Sequence, residues 1–559
     1  MYLKRLDIKN FRVFDEEGVS LIFNQGVNAI IGENNSGKSS VIDAIRIAYS
    51  TVTYKKDIFF SKSDFHVNED GTTADYAQFD VFLEDVPKRL VEIWNPQSES
   101  GKGGDFHIKF EKYIAPSGME KVRSVYWGFG TEGNSLTTDT FEATDVVFLG
   151  ALRDSENEMK PSKNSKLAQL LRNMVPEEEI RKEFQMDIDA EVSSRIKELA
   201  NSSFELYQNG LGYNNLLFMS AVLGDMAIEK GGIYHNLLLI EEPEAHLHPQ
   251  LQELVHSFLE DANRNDSNIQ IIYTSHSPTL ASKIDIENIN LIYECGHEKF
   301  CLPFSEAKLN EDNKKYLQRY LDVTKSQMFF ARGILFVEGI SEAILIPEMA
   351  KALDRPLEKY AVELVNVDSV AFKPFVNLFS SEQVKTCFKK VSIITDDDRC
   401  SKKNEKDYIS KDFDYDNVSS EIVANLENGQ PSDRYKELET LCSGTEINIF
   451  SAYKTLEYAL CCSENNIYHM VEAIKNCYVD LGPKLEEKIA TLSELSEKAA
   501  CVWLFIRTRD KCKGAVAQYI SQVISDQKKQ KDNKKTIEKE FIIPEYLKDA
   551  IYSVTEKKL

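Results

Sequence analysis

Two sets of residues in this chain have the types and spacing that phosphate chemistry requires. The first opens with Gly32-Glu33-Asn34-Asn35-Ser36-Gly37-Lys38-Ser39-Ser40, placed between the apolar run Val27 to Ile31 and an amphipathic segment, Val41 to Ala48. Strand, glycine-rich loop and helix are the setting of a phosphate-binding P-loop. Gly32 and Gly37 let backbone N–H groups turn inward around a β-phosphate, and the helix N-terminus adds partial positive charge. Lys38 would reach the β- and γ-phosphates and the Ser39 hydroxyl would complete a Mg²⁺ shell, with Asn35 and Ser40 in the same nucleotide-binding loop. Far downstream, the apolar run Leu237 to Ile240 ends in Glu241-Glu242-Pro243-Glu244. A carboxylate at a strand end, here Glu241, can hold Mg²⁺ through water, and the next, Glu242, can orient or deprotonate the attacking water. The second set begins with Glu338-Gly339-Ile340-Ser341-Glu342 after the apolar run Gly333 to Val337, and helical spacing predicts Glu338 and Glu342 one turn apart. It is completed by Asp396-Asp397-Asp398-Arg399 after Val391 to Thr395, where alternation predicts Asp396 and Asp398 on one side. Four convergent oxygen donors suit a hard cation, Mg²⁺ or Mn²⁺, and two such ions can hold both the attacking and the leaving oxygen of a phosphodiester.

These residues need rigid elements to place them, and the chain has room for several. At 559 residues it exceeds one core, so two to four domains are expected. Leu3, Leu6 and Ile8 predict a strand leading into Asn10-Phe11-Arg12, and Val19, Leu21 and Phe23 predict a second. Tyr76 to Phe82, Asp145 to Gly150, Ile269 to Tyr273 and Ile289 to Tyr293 also read as strands, whereas Gly101 to Gly104 and Gly128 to Gly133 read as loops. Ser162 to Ser202 is charged and helical with Pro176 dividing it, and either a dimerisation arm or a plain surface helical pair fits that pattern. Asn310 to Asp322 reads as a polar helical connector, a second α/β domain starts near Arg332, and from about Ile447 the chain reads as mostly helical. Lys528, Lys529, Lys531, Lys534 and Lys535 form a basic patch that reads as a solvated loop, with contact to a DNA backbone as the alternative.

Charge and cysteine usage narrow the classes. A net charge of −23 argues against coating nucleic acid by bulk attraction, although a local groove or a metal-bridged acidic site stays open. No apolar run is long enough to span a bilayer and Met1 to Leu6 lacks a signal-peptide core, so a cytoplasmic protein without membrane contact is expected. The ten cysteines form no C-x-x-C pair, which suits reduced thiols.

Further pieces accompany the first acid pair: Glu244-Ala245-His246-Leu247-His248-Pro249, Thr274-Ser275-His276-Ser277-Pro278 at a strand end, and Asn209-Gly210-Leu211-Gly212-Tyr213-Asn214-Asn215 before the apolar Leu216 to Leu223. Together they resemble the ABC-type ATPases of chromosome maintenance and DNA repair. That resemblance implies a Walker B acid in Glu241, a catalytic glutamate in Glu242, a D-loop after it and a switch histidine in His276. It also implies a signature motif at Gly210 to Asn215, with Gly212 touching the nucleotide of a partner subunit, although the usual Ser-Gly-Gly form is missing. Ser63-Asp64-Phe65 stands in for the Q-loop, with Asp64 toward the nucleotide, or is an ordinary turn.

The second acid set resembles the Toprim fold, and an N-terminal ABC ATPase with a C-terminal Toprim domain resembles the OLD (overcoming lysogenization defect) family of ATP-dependent endonucleases. Ala151-Leu152-Arg153-Asp154, Thr455-Leu456-Glu457 and Lys511-Cys512-Lys513-Gly514-Ala515-Val516-Ala517 match lesser motifs of that family, and Val367-Asp368-Ser369-Val370 departs from it by lacking a glycine. By the resemblance Glu338, Asp396 and Asp398 are catalytic, Glu342 and Glu457 add metal ligands, and Lys513 stabilises charge on the scissile phosphate. The implied fold class is α/β: a P-loop ATPase of the ABC type with a helical insert, then a Toprim (Rossmann-like) domain with a helical C-terminal elaboration. The expected boundaries are 1–160 and 205–309 for the ATPase, 161–204 for the insert, 310–331 for the connector, 332–446 for the Toprim core and 447–559 for its helical part. The implied cofactors are ATP and Mg²⁺ or Mn²⁺ at both sites. The implied partners are DNA, further copies of the chain as a dimer or dimer of dimers, and a helicase or a reverse-transcriptase (retron) DNA. The implied role is a nuclease or nickase of antiviral defence regulated by the ATPase. A strand-passage or priming enzyme, and a nucleotide-switched scaffold without nuclease activity, are the alternatives.

Overall fold

The computed structural model describes residues 1–52, 58–87, 103–128, 143–150, 219–226, 233–265, 269–380, 390–399, 414–509 and 512–555, apart from 221, 225, 246, 297 and 308. The insert expected at 161–204, the stretch Ala151 to Asp154 and the signature segment with Gly212 lie outside the described residues. The chain divides into two compact units, one formed by Met1–Glu306 with Gln318–Phe329, the other by Ala307–Leu317 with Phe330–Leu559.

The first unit has two sheets. An antiparallel one runs in the order β2-β1-β4-β5-β6, from β1 (Tyr2–Lys9), β2 (Val19–Ile22), β4 (Tyr76–Glu84), β5 (Gly104–Ile114) and β6 (Glu120–Gly128). The other has the order β11-β10-β3-β9-β8-β7, from β3 (Val27–Gly32), β7 (Thr144–Leu149), β8 (His235–Glu241), β9 (Ile269–Ser275), β10 (Ile289–Cys295) and β11 (Glu298–Pro303). In it β10, β3, β9, β8 and β7 pair in parallel, and only the edge strand β11 is antiparallel. All six residues of β3 are buried, which is why the sequence there is a continuous apolar run rather than an alternating one. Helix α1 (Lys38–Val52) buries Val41, Ile42, Ala44, Ile45, Ile47 and Ala48 in one core with Leu6, Ile8, Phe79 and Phe106 of the antiparallel sheet and Ile30, Leu239 and Ile272 of the parallel one. A helix clamped between two sheets is apolar around most of its circumference, and its polar strip, Asp43 and Arg46, is closed by ion pairs to each other and from Arg12. Strands β5 and β6 were not expected, because the glycine tract beside β5 reads as a loop; Gly104 is the first residue of β5.

The second unit is built on an all-parallel sheet in the order β13-β12-β14-β15, from β12 (Gly333–Val337), β13 (Val362–Asn366), β14 (Lys390–Asp396) and β15 (Ile447–Ala452). The stretch that opens the region expected to be helical is therefore an edge strand of this sheet, and the helices follow it. Helix α2 (Ile340–Ala352), α3 (Asp433–Cys442), α4 (Leu456–Leu460), α5 (Lys513–Asp532) and α6 (Glu545–Val554) surround the sheet, and Leu335, Val337 and Ile394 share a core with Leu345, Met349, Leu456, Val516 and Leu547. Lys528, Lys529 and Lys531 lie on α5 rather than in a loop and pair with Asp354, Asp526 and Glu540.

Candidate functional sites

In the first unit, β9 lies between β3 and β8, so the P-loop, the acid pair and His276 leave the carboxyl ends of three adjacent parallel strands. The loop backbone is the one only glycine tolerates at two points. Gly37 has φ +107°, where a Cβ would meet Phe14 Cζ at 2.7 Å, and a Cβ on Gly32 would lie 2.2 Å from the Ile292 carbonyl oxygen. Asn35 also has positive φ, 63°. Lys38 is buried, and its Nζ donates to the carbonyls of Gly32 at 2.9 Å and Glu33 at 2.7 Å, spanning the loop it opens from. Burial pulls its pKa down, against the charges of Glu242 and Glu244. Ser40 is buried and Ser39 exposed, the latter hydrogen-bonded to Glu241, whose carboxyl is pushed up chiefly by burial. The cradle fits a polyphosphate: Ser36 Oγ is buried there without a hydrogen-bond partner among the described residues.

Glu242 sits at φ 46°, its N–H donating to the Thr274 carbonyl at 3.1 Å. That turn sets its carboxylate 3.6 Å from Nδ1 of His276. Asp64 is buried but does not face outward. Its Oδ1 accepts from Arg12 Nε at 2.8 Å and its Oδ2 from the Ser61 N–H at 2.8 Å, so in this structure it anchors Arg12, which also reaches Asp43 at 2.6 Å. Arg12 itself had drawn no role from the sequence.

In the second unit, Glu338 follows the carboxyl end of β12, Asp396 is the last residue of β14 and Glu457 lies on α4 just beyond β15, at the edge where open α/β sheets bind ligands. Glu338 precedes α2 rather than lying on it, because Gly339 is the N-cap; Glu342 is in the first turn. Glu338 Oε1 accepts from the Asp396 N–H at 3.1 Å and from the Thr395 hydroxyl, and Asp396 Oδ1 accepts from the Leu456 N–H at 2.9 Å. Burial first, then the charges of Glu338, Glu457, Glu342 and Asp398, hold the Asp396 carboxyl well above the usual carboxylate range. Burial, with Glu457 and Glu338, pushes Glu342 up to about 7, against the pull of Lys513. Lys513, first residue of α5, pairs with Glu457 at 3.2 Å.

Several members of this cluster escaped the sequence. Arg434, near the start of α3, donates to Glu338 at 2.9 Å, Thr395 Oγ1 at 3.1 Å, the Asp396 carbonyl at 2.7 Å and Asp398 Oδ2 at 2.8 Å. Asp397, the residue after β14, is buried and holds the loop: it accepts from Arg399 Nε at 2.7 Å and the Lys454 N–H at 2.9 Å, and its carbonyl accepts from Ser432, the N-cap of α3, at 2.9 Å. The loop that carries the acids thus also fixes the helix that carries Arg434. Tyr546 on α6 has a buried hydroxyl without a hydrogen-bond partner among the described residues, in the field of Asp396, Glu342, Glu457 and Glu338.

Among the described residues no three His, Cys, Asp or Glu side chains already close on one cation position. Glu338 and Asp398 are drawn to Arg434 and Glu457 to Lys513, which is how a crowded acidic site lowers its own repulsion. The donor chemistry fits a hard divalent cation. These are oxygen ligands at one sheet edge, and at Glu342 and Asp396 burial and neighbouring acids disfavour the charged form, which a cation would reverse.

Comparison with known proteins bears on both units. A family model described as an AAA ATPase domain matches residues 1–125 and 133–281, and one described as the overcoming lysogenization defect protein-like Toprim domain matches 329–398. The chain is 22% identical over 409 residues to the OLD nuclease of Thermus scotoductus, covering 63% of this chain and 74% of that protein. It is 24% identical over 466 residues to endonuclease GajA of Bacillus cereus strain VD045, covering 73% and 76%. Against endonuclease GajA of Bacillus cereus strain HuB5-5 it is 33% identical over 204 residues, which span 32% of this chain and only 29% of that relative. No helix among the described residues is long and apolar enough to cross a membrane.

Proposed function

We propose, from the premise that this chain joins an AAA ATPase domain to an OLD-like Toprim domain and is homologous to the OLD and GajA nucleases, that it is a metal-dependent DNA endonuclease or nickase whose ATPase regulates cleavage. The observation that carries this reading is the convergence of Glu338, Glu342, Asp396 and Glu457 at one sheet edge, with Arg434 and Lys513 as the basic groups beside them. Glu338, Glu342, Asp396, Asp398 and Glu457 would hold Mg²⁺ or Mn²⁺. When bound, such ions supply positive charge at the attacked phosphate and acidify coordinated water. Lys513 and Arg434 would meet the non-bridging oxygens of the scissile phosphate and stabilise the charge that builds there. In the ATPase, Gly32, Asn35, Gly37, Lys38 and Ser40 would bind the triphosphate, Ser39 and Glu241 would hold its Mg²⁺, and Glu242 would orient water with His276 beside it. The antiviral role, oligomerisation and a helicase or reverse-transcriptase DNA partner belong to the same proposal, as does a cytoplasmic location.

Supercoiled plasmid with Mg²⁺ or Mn²⁺ tests this. Nicked or linear product that is lost in Glu338→Ala and Asp396→Ala but kept in Lys38→Ala supports a nuclease with a regulatory ATPase. Cleavage that survives both acid substitutions would remove the assignment of cleavage to the Toprim acids.

A further inference from the structure

Glu244 lies two residues beyond the proposed catalytic glutamate, yet its side chain is only 4% exposed. Its Oε1 accepts the Ser275 hydroxyl at 2.8 Å and the His276 N–H at 2.9 Å, and the Ser275 oxygen in turn accepts the Ser277 N–H at 2.9 Å. The same Oε1 stands 3.6 Å from His276 Nδ1, the distance at which Glu242 Oε1 stands from that nitrogen. Oε2 of Glu244 is buried with no hydrogen-bond partner among the described residues. Burying a carboxylate in this way carries a desolvation penalty, and holding a neighbour in place is a physical reason for it. The neighbour is His276. The main-chain bond fixes where the histidine leaves β9, and two carboxylate oxygens on the Nδ1 side favour the tautomer with its proton on Nδ1.

We propose that Glu244 is a positioning residue of the ATPase: it holds His276 with Nδ1 toward Glu242, leaving Nε2 for the nucleotide. This rests on the ATPase reading above. Glu244 is not itself in contact with the reacting atoms; it acts through His276, so the two residues behave as one unit.

The test is steady-state ATP turnover of the full chain, beside binding of a fluorescent non-hydrolysable ATP analogue. Glu244→Ala should lower kcat roughly tenfold or more with analogue affinity within about twofold of the parent, since only placement of His276 is lost. Glu244→Gln keeps an oxygen acceptor for Ser275 and His276 and should recover turnover to within about threefold. In a His276→Ala background, Glu244→Ala should have no further effect, a non-additivity that a merely structural residue would not give. If Glu244→Ala fails to fold, Glu244→Asp, which withdraws the acceptor by one methylene and keeps the charge, should show the same fall in kcat at constant affinity. Parent-like turnover in Glu244→Ala or Glu244→Asp, affinity lost in step with kcat, or full additivity with His276→Ala overturns the proposal. Absence of ATP turnover in the parent chain would instead sink the ATPase reading, and this proposal with it.

Discussion

Replacing Arg434 by Met tests how the acidic cluster of the second unit is held. The guanidinium makes two charged bonds, to Glu338 at 2.9 Å and Asp398 at 2.8 Å, and two to uncharged oxygens. The two ion pairs are not equivalent. Glu338 is 17% exposed and Arg434 26%, whereas Asp398 is 46% exposed, so water screens the second pair far more than the first. A charged hydrogen bond in a partly buried site contributes about 1.5–3 kcal/mol and an exposed ion pair about 0.2–1. Discounting for exposure, Arg434→Met should cost about 2–3 kcal/mol, with a coupling of about 1.5 kcal/mol to Glu338→Gln and about 0.5 to Asp398→Asn in double-mutant cycles. Trp503 is buried in the second unit, so substituting Trp94 and Trp127 by Phe leaves a fluorescence report on that unit alone during urea unfolding. A coupling to Asp398 equal to or larger than that to Glu338, or both below about 0.3 kcal/mol, would refute the assignment of Arg434 as the principal counter-charge of Glu338.

His107 on β5 bonds Asp80 through Nδ1 at 2.6 Å and Asp105 through Nε2 at 2.8 Å, and although burial opposes its charge, the two carboxylates raise it to about 9. A raised histidine stabilises fully below its unfolded value near 6.5 and loses that contribution as pH climbs through 9, so the first unit should lose about 2 kcal/mol over that window. Thermal melts across pH 6 to 10 should show the decline in the parent and a flat profile in His107→Gln over the same window. His235 is wholly buried, and burial lowers it to about 3, so stability should fall with pH between about 6.5 and 3 as the unfolded chain takes up the proton first. Gly32→Ala should destabilise the first unit by about 2–3 kcal/mol, because the added Cβ meets a backbone oxygen of β10 that cannot move aside. Nucleotide binding by Gly32→Ala should be lost along with that stability, as read by an ATP-analogue titration.

The parts of both sites that were legible in the sequence are those where local backbone geometry dictates residue type. Gly32 and Gly37 are required by the loop itself, and the acids at the ends of β8, β12 and β14 follow apolar runs that only buried strands explain. Arg434 was invisible because its role depends on α3 folding back over the end of β14, and a lone arginine in a polar stretch carries no local signature. In β5 the signal existed: Phe106, Ile108 and Phe110 alternate with Asp105, His107 and Lys109, but a glycine tract at its start reads as a turn. The run Ile447 to Ala452 was apolar enough for a strand, and the helical sequence after it hid the boundary. Asp64 fits its place as an anchor of Arg12 and a cap for Ser61, a pairing across 52 residues that spacing alone does not reveal.

The claim that two separate carboxylate-lined cation sites share this chain, one serving a triphosphate and the other a nucleic-acid strand, is tested most directly by anomalous scattering from crystals grown with Mn²⁺ and a non-hydrolysable ATP analogue. One set of peaks is expected beside Ser39 and Glu241 and a second among Glu338, Glu342, Asp396 and Glu457, with Arg434 turned away from Glu338 where the ion enters. Manganese beside the nucleotide but none among the second group of acids, at concentrations that fill the first, would contradict it.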